Sequence, residues 1–233
     1  MPFYLFALMV YFDNWSLGAW CYLILHGSYG VIWLSKDRIT PDPLFDLPCT
    51  VLSSISSVLL ILGPYCYIGF LMMSGQADQN PHPERIFVCA WLYIFGVLLM
   101  MLADAKKYYL LKERRHLMNY GLMKYTRNPN YLGEIMLYGA FAILLNRWEP
   151  WLVLSYMWGF VFMYRMTCKD YFLSKKQGWK EYTERSWILF PKINGSAPLS
   201  IIFYGVLIAV VYQIYDHGGM QASAMLLRRK FFH

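Results

Sequence analysis

Long apolar runs separated by short polar gaps set the pattern of this chain. A helix needs about 20 mostly apolar residues to cross the hydrocarbon of a bilayer. Runs of that kind predict helices over Leu17–Leu34, Thr50–Met73, Ile86–Ala103, Tyr131–Leu145, Pro150–Met166 and Leu199–Tyr215. The fourth and fifth are separated only by Asn146-Arg147-Trp148-Glu149, so 131–166 reads as a short helical hairpin. Phe3–Phe12 is too short to cross and is expected at the interface. The fold class is therefore an all-α integral membrane protein with about six transmembrane helices. Residues 1–233 form a single polytopic domain without internal repeats.

Charge placement gives the sidedness. Of the 21 Lys and Arg residues, 16 fall in alternate gaps: Lys36 and Arg38, the stretch from Lys106 to Arg127, and the stretch from Arg165 to Lys192. This positive-inside pattern agrees with six spans and makes those gaps cytosolic-type basic loops. Composition supports the same class, with 58% apolar, 19% aromatic and only 15% charged residues. Soluble domains carry about 25% charged residues. The net charge of +7 lies in gaps between apolar runs, so it gives no reason to expect nucleic acid as a partner. The cysteines (Cys21, Cys49, Cys66, Cys89, Cys168) are single and dispersed, which suits packing better than disulfides or metal. Met1–Phe12 lacks a basic start and a small-residue cleavage site, so no cleaved signal is expected.

Two segments on the basic side carry the candidate chemistry. In the first, Asp104 closes one apolar run and Glu134 lies four residues into the next. An ionisable group at the edge of hydrocarbon is costly unless it is paired or faces a polar cavity. The plainer reading pairs Asp104 with Lys107 and Glu134 with Arg127 for packing alone. Between them, Arg127-Asn128-Pro129-Asn130-Tyr131 predicts a turn feeding a helix N-terminus, with Asn130 as its cap. Arg127 and the free backbone N–H groups there suit a phosphate or carboxylate. Gly133 would let a backbone or a ligand come close. The second segment, 168–191, mixes aromatic and basic residues as an interfacial helix does, with Asp170 following the fifth run as Asp104 follows the third. His26, among Ser28, Tyr29 and two glycines, reads equally as a packing histidine or a ligand. The chain has no P-loop, GxGxxG, Gly-x-Ser-x-Gly or zinc-ligand spacing.

The ordered set Ala103-Asp104, Lys107, Gly121-Leu122, Thr126 to Tyr131, Gly133-Glu134, Gly178-Trp179, Glu181-Tyr182 and Pro191 resembles the C-terminal membrane domain of steroid 5-alpha-reductase-like proteins. Sterol reductases and isoprenylcysteine or phospholipid methyltransferases share that superfamily. The resemblance covers about Phe87–Lys192, the family-like cofactor-binding core (87–192), and Gly27–Asp42 extends it. It implies a nucleotide cofactor held by Asp104, Lys107, Arg127, Asn130, Tyr131, Glu134, Asp170 and Tyr182, with Tyr131 as the candidate catalytic acid and no metal. The chain departs from the pattern at Asn128, where His is common, at Lys106, where Gln is common, and at Asp170, where Glu is usual. The donor and acceptor residues of true steroid reductases, in a more N-terminal region, find no match.

Three functions follow as expectations. The first is a membrane-embedded NADPH-dependent reductase of a lipid or sterol-like double bond. The second is an S-adenosylmethionine-dependent isoprenylcysteine or phospholipid methyltransferase. The third is a non-catalytic subunit of a large membrane complex that retains the enzyme fold without a cofactor, its basic tail Leu227–His233 contacting other membrane protein subunits or lipid. The endoplasmic reticulum is the expected compartment, with the mitochondrial inner membrane as the alternative.

Overall fold

A computed structural model describes residues 1–42, 46–113, 117–216, 219, 224 and 225. Arg114 and Arg115 of the basic pattern, and the tail Leu227–His233, lie outside the described residues. The described residues form helices, with no strand beyond one isolated bridge. In chain order they are α1 (Pro2–Tyr11), α2 (Leu17–Ile39), α3 (Val51–Met73), α4 (Pro83–Glu113), α5 (Pro129–Leu145), α6 (149–173), α7 (Trp179–Arg185) and α8 (Ala197–Asp216). Each of the six expected runs lies on a helix. Three of them, α2, α3 and α4, are long and apolar enough to cross a membrane.

Local chemistry sets the helix ends. Ser16 and Thr50 accept from the backbone N–H groups of Ala19 and Ser53 and so cap α2 and α3. Pro129 opens α5 at its first position, where a missing N–H costs nothing. Asn130 is therefore inside the first turn, and the cap position falls on Asn128, whose side chain makes no capping bond. Asn146 stops α5 in the left-handed conformation (φ 54°) and turns the chain into α6. Helix α4 continues past the expected end at Ala103 to Glu113. Its 31 residues span about 46 Å, well beyond a hydrocarbon layer of about 30 Å. The residues after Ala103 are Ala, Lys, Leu, Tyr and Glu alongside Asp104, mostly good helix formers that extend the helix after its apolar run has ended.

Helix α1 does not lie flat at the interface. It runs antiparallel along α2 and packs on the second half of α3, burying Leu5 and Met9 completely. Three contacts give its course: Gly27 faces Pro2, Gly30 faces Met1, and Gly69 faces Leu5. Its apolar character on all sides explains this, since no polar face holds it at a headgroup layer.

The centre of the fold is the crossing of α4 and α5. A Cβ built on Gly96 would stand 2.6 Å from the Gly133 carbonyl oxygen and 2.8 Å from the Leu137 amide nitrogen. One built on Gly133 would stand 2.7 Å from the Met100 amide nitrogen. The two backbones are in direct contact, which only small residues allow. The expectation that Gly133 admits a close approach is met by a backbone. Around the crossing, Phe141 packs on Tyr22 and stacks on His26 at 4.6 Å. His26 hydrogen-bonds the Tyr22 hydroxyl through Nδ1 (2.8 Å) and is a buried packing residue.

The less basic end of the bundle is tied shut. The Asn14 amide donates to the Met72 and Met73 carbonyls and to Gln79 Oε1, and the Gln79 carbonyl accepts from the Gly18 N–H. Arg85 pairs with Asp78 and Arg147 with Glu149.

Gly96→Ala and Gly133→Ala should each destabilise the protein by about 1–3 kcal/mol, because the new methyl meets backbone that cannot yield. Gly139→Ala, on the same helix as Gly133 with nothing within 4 Å, should change little. Thermal unfolding of the three variants in one detergent checks this.

Candidate functional site

At the basic end the same helices enclose a cavity of about 720 Å³. Helical spacing supplies its walls. Tyr29, Trp33 and Lys36 form one stripe of α2, Asp104, Lys107, Tyr108 and Leu111 one stripe of α4, and Tyr131, Glu134 and Tyr138 one stripe of α5. Ile61 and Tyr65 of α3 and Met157, Val161, Phe162 and Arg165 of α6 complete the wall. Lys112 and Lys176 stand at its rim.

Of the residues singled out by sequence, the structure brings Asp104, Lys107, Asn130, Tyr131 and Glu134 to this cavity. Asp104 pairs with Lys36 across to α2 rather than with Lys107 along its own helix. Glu134 has no hydrogen bond or ion pair among the described residues, although Asp104, Lys36 and Arg165 are within electrostatic reach. Tyr131 packs its ring on Phe162 at 4.9 Å. Deeper in, the Tyr138 hydroxyl donates to the Tyr29 hydroxyl at 3.3 Å, and the Tyr138 ring stacks on Tyr65 at 4.5 Å. All three tyrosines are buried. The cavity thus has cations at an exposed rim, a carboxyl part-way in, and hydroxyls on an aromatic floor.

Arg127, Asp170 and Tyr182 do not line the cavity. They build a clamp beside it. Arg127 donates through Nε to Asp170 Oδ2 at 2.9 Å and through Nη1 to the Ser186 carbonyl at 2.8 Å, and its guanidinium lies 5.5 Å above the Trp179 ring. Asp170 therefore takes the Arg127 charge that the packing reading gave to Glu134. The buried Tyr182 hydroxyl donates to the Met123 carbonyl at 2.7 Å. Asn128, fully buried, donates to the Ile188 carbonyl and accepts from Lys169 Nζ at 2.9 Å, and Lys169 also donates to the Arg127 carbonyl. Backbone pairing of Arg127 with Trp187, and of Lys192 with Tyr125, ties the segment before α5 to the segment after α7. The clamp fixes where α5 begins, and with it Asn130, Tyr131 and Glu134.

Burial sets the protonation of the clamp. Lys169 lies beyond the apolar part of α6, and desolvation, aided by the neighbouring Lys107 charge, pushes its amine down to about 8. Burial likewise pushes the Tyr182 hydroxyl up to about 12, with Arg127 pulling the other way.

Tyr29, Lys36, Tyr65, Tyr138 and Arg165 line the cavity but were not among the site residues expected from sequence. The signal was present on α5, where positions 131, 134 and 138 repeat at helical spacing. Tyr29 and Tyr65 sit in other apolar runs, where a tyrosine resembles ordinary membrane packing.

Residues 65–186 match the family described as "Protein of unknown function (DUF1295)", and the chain belongs to that family, which is associated with steroid 5-alpha-reductase-like membrane proteins. The match begins earlier than the expected core at Phe87 and takes in Tyr65 of the cavity. An uncharacterized protein of Schizosaccharomyces pombe is 25% identical over 97 residues, covering 40% of this chain and 34% of that protein. The matched region therefore spans about a third of the relative's length. No solved structure matches the chain.

Because Lys169 is held near 8 in the folded state and reverts to an ordinary lysine on unfolding, the unfolded chain binds the extra proton between about pH 8 and 10.5. Stability contributed by this residue should therefore rise with pH across that window. Melting temperatures of the wild type from pH 7.5 to 10 should climb relative to those of Lys169→Met. Parallel curves would show that Lys169 carries no such linkage.

Proposed function

We propose that this member of the DUF1295 family is a membrane-embedded NADPH-dependent reductase of a lipid or sterol-like double bond, with the cavity at its basic end as the reaction centre. The supporting observation is that one cavity joins a cationic rim to a floor of buried tyrosines, with Glu134 between them. Its volume of about 720 Å³ lies in the range of cofactor and small-molecule sites, roughly 300–1,000 Å³. The residues fit the cofactor. Lys107, Lys112 and Arg165 on the rim suit its phosphates, and the faces of Tyr131 and Tyr108 suit flat rings.

NADPH, when bound, supplies a hydride to one carbon of the double bond. The chain's own residues do the rest. Ile61, Met157, Val161 and Phe162 give the substrate an apolar, water-poor wall. The Tyr131 hydroxyl delivers a proton to the second carbon, Glu134, on the same face of α5, reprotonates Tyr131, and water entering at the exposed rim restores the Glu134 proton. Lys36 neutralises Asp104 at the rim, which keeps a second carboxylate from opposing an anionic cofactor. In the endoplasmic reticulum the positive-inside pattern turns this rim to the cytosol.

The full chain in mild detergent should bind NADPH saturably. Lys107→Ala and Arg165→Ala should each weaken binding roughly tenfold, the scale of one lost charge-assisted contact. Glu134→Gln should bind nearly as well as the wild type and lose turnover. Saturable binding of S-adenosylmethionine with none of NADPH would replace the reductase by the methyltransferase reading. Binding of neither by folded protein would leave the non-catalytic subunit.

A further inference from the structure

Helices α3 and α6 meet at one end and part at the other. Residues 63–73 of α3 pack against 149–156 of α6 near the tied, less basic end. Toward the basic end they separate. None of residues 51–62 is buried, and all but Ser56 and Ile61 stand exposed. The parting coincides with a π-helical turn in each helix, Val58–Leu62 in α3 and Met157–Phe162 in α6. Such turns inside α-helices concentrate at functional sites. Here Ile61 from one turn, and Met157, Val161 and Phe162 from the other, face the cavity. On the outer flanks, Leu60 and Phe160 point away from the bundle, 57% and 72% exposed.

We propose that the gap between α3 and α6 is a lateral portal, through which the hydrocarbon chain of a lipid in the basic-side leaflet reaches the cavity. The portal lies within the apolar stretch of α3, so its surroundings are lipid tails rather than water. Its walls are wholly apolar at Ile61, Met157, Val161 and Phe162, and they continue the lipid-facing surfaces of both helices. The far end offers Glu134 and the hydroxyls of Tyr29 and Tyr138. The occupant is thus an amphipathic lipid, with its tail in the gap and an uncharged hydrogen-bonding end inside, matched to the carboxyl and the hydroxyls there. This deepens the reductase reading and rests on it for the chemistry at the polar end; the portal itself stands on the packing of α3 and α6.

The full chain is reconstituted in phosphatidylcholine nanodiscs containing a long-chain fatty alcohol with a diazirine on its alkyl chain. After irradiation, labelled peptides are mapped by mass spectrometry, with the lipid-facing residues of α8 (Ile201 to Tyr212) as the internal standard. Label is expected on cavity residues Tyr65, Tyr138 or Phe162 as well as on α8. Ile61→Trp combined with Val161→Trp should cut the cavity label severalfold at constant α8 label, and Ile61→Ala with Val161→Ala should raise it. Label confined to outward faces, or cavity label unmoved by both pairs, would overturn the portal. NADPH binding, measured on the same samples, reports separately on the reductase reading, so either idea can fail alone.

Discussion

The backbone contact between Gly96 and Gly133 is the constraint on which the rest of the molecule depends. Inside a bilayer, lipid tails are as apolar as leucine, so helices gain little from burying apolar side chains against one another. Association then depends on close van der Waals packing, and two glycines at one crossing bring α4 and α5 nearer than side chains would permit. The crossing lies eight residues before Asp104 on α4 and one residue before Glu134 on α5. Setting the distance between the two backbones therefore also sets the distance between the walls of the cavity.

From that crossing the two ends of the bundle are built differently. At the less basic end, Asn14, Gln79, Asp78 and Arg147 use backbone carbonyls and ion pairs to stitch three connections together. At the basic end, stitching is displaced sideways into the clamp of Arg127, Asn128, Lys169, Asp170 and Tyr182. The clamp satisfies the polar groups that precede α5 without filling the space between α2, α4 and α5. A cavity survives because the connections that could close it are held elsewhere.

The sequence made the helices readable, because a period of apolar residues some 20 long has one cheap solution in a membrane. Lys and Arg placement gives the expected sidedness through the positive-inside rule. The site was only half legible. Asp104, Lys107, Asn130, Tyr131 and Glu134 stood out as polar groups at the ends of apolar runs, and they converge. Arg127 and Tyr182 stood out equally, yet their hydrogen bonds go to Asp170, Ser186 and Met123. Spacing along the chain cannot tell a residue that holds a loop from one that faces a cavity, because the partners lie about 43 to 59 positions away. Tyr29, Tyr65 and Tyr138 were hidden for the opposite reason. A single tyrosine in an apolar run carries too little polarity to separate it from packing, and only the fold shows three of them on one floor.

Glu134 gives the cavity its meaning. A carboxyl at membrane depth is costly, and proteins usually offset that cost with a partner. Cations suitable for the task are near: Lys36 is taken by Asp104 and Arg127 by Asp170, while Arg165 stands at the rim. Had packing alone shaped this region, a glutamine or leucine at position 134 would serve the α4–α5 crossing as well, since Gly133 makes the contact that matters. The arrangement instead spends two ion pairs on neighbouring carboxylates and leaves one carboxyl facing open space lined by hydroxyls. On the reductase reading, that is the disposition of a group kept for a ligand or a proton rather than for the fold.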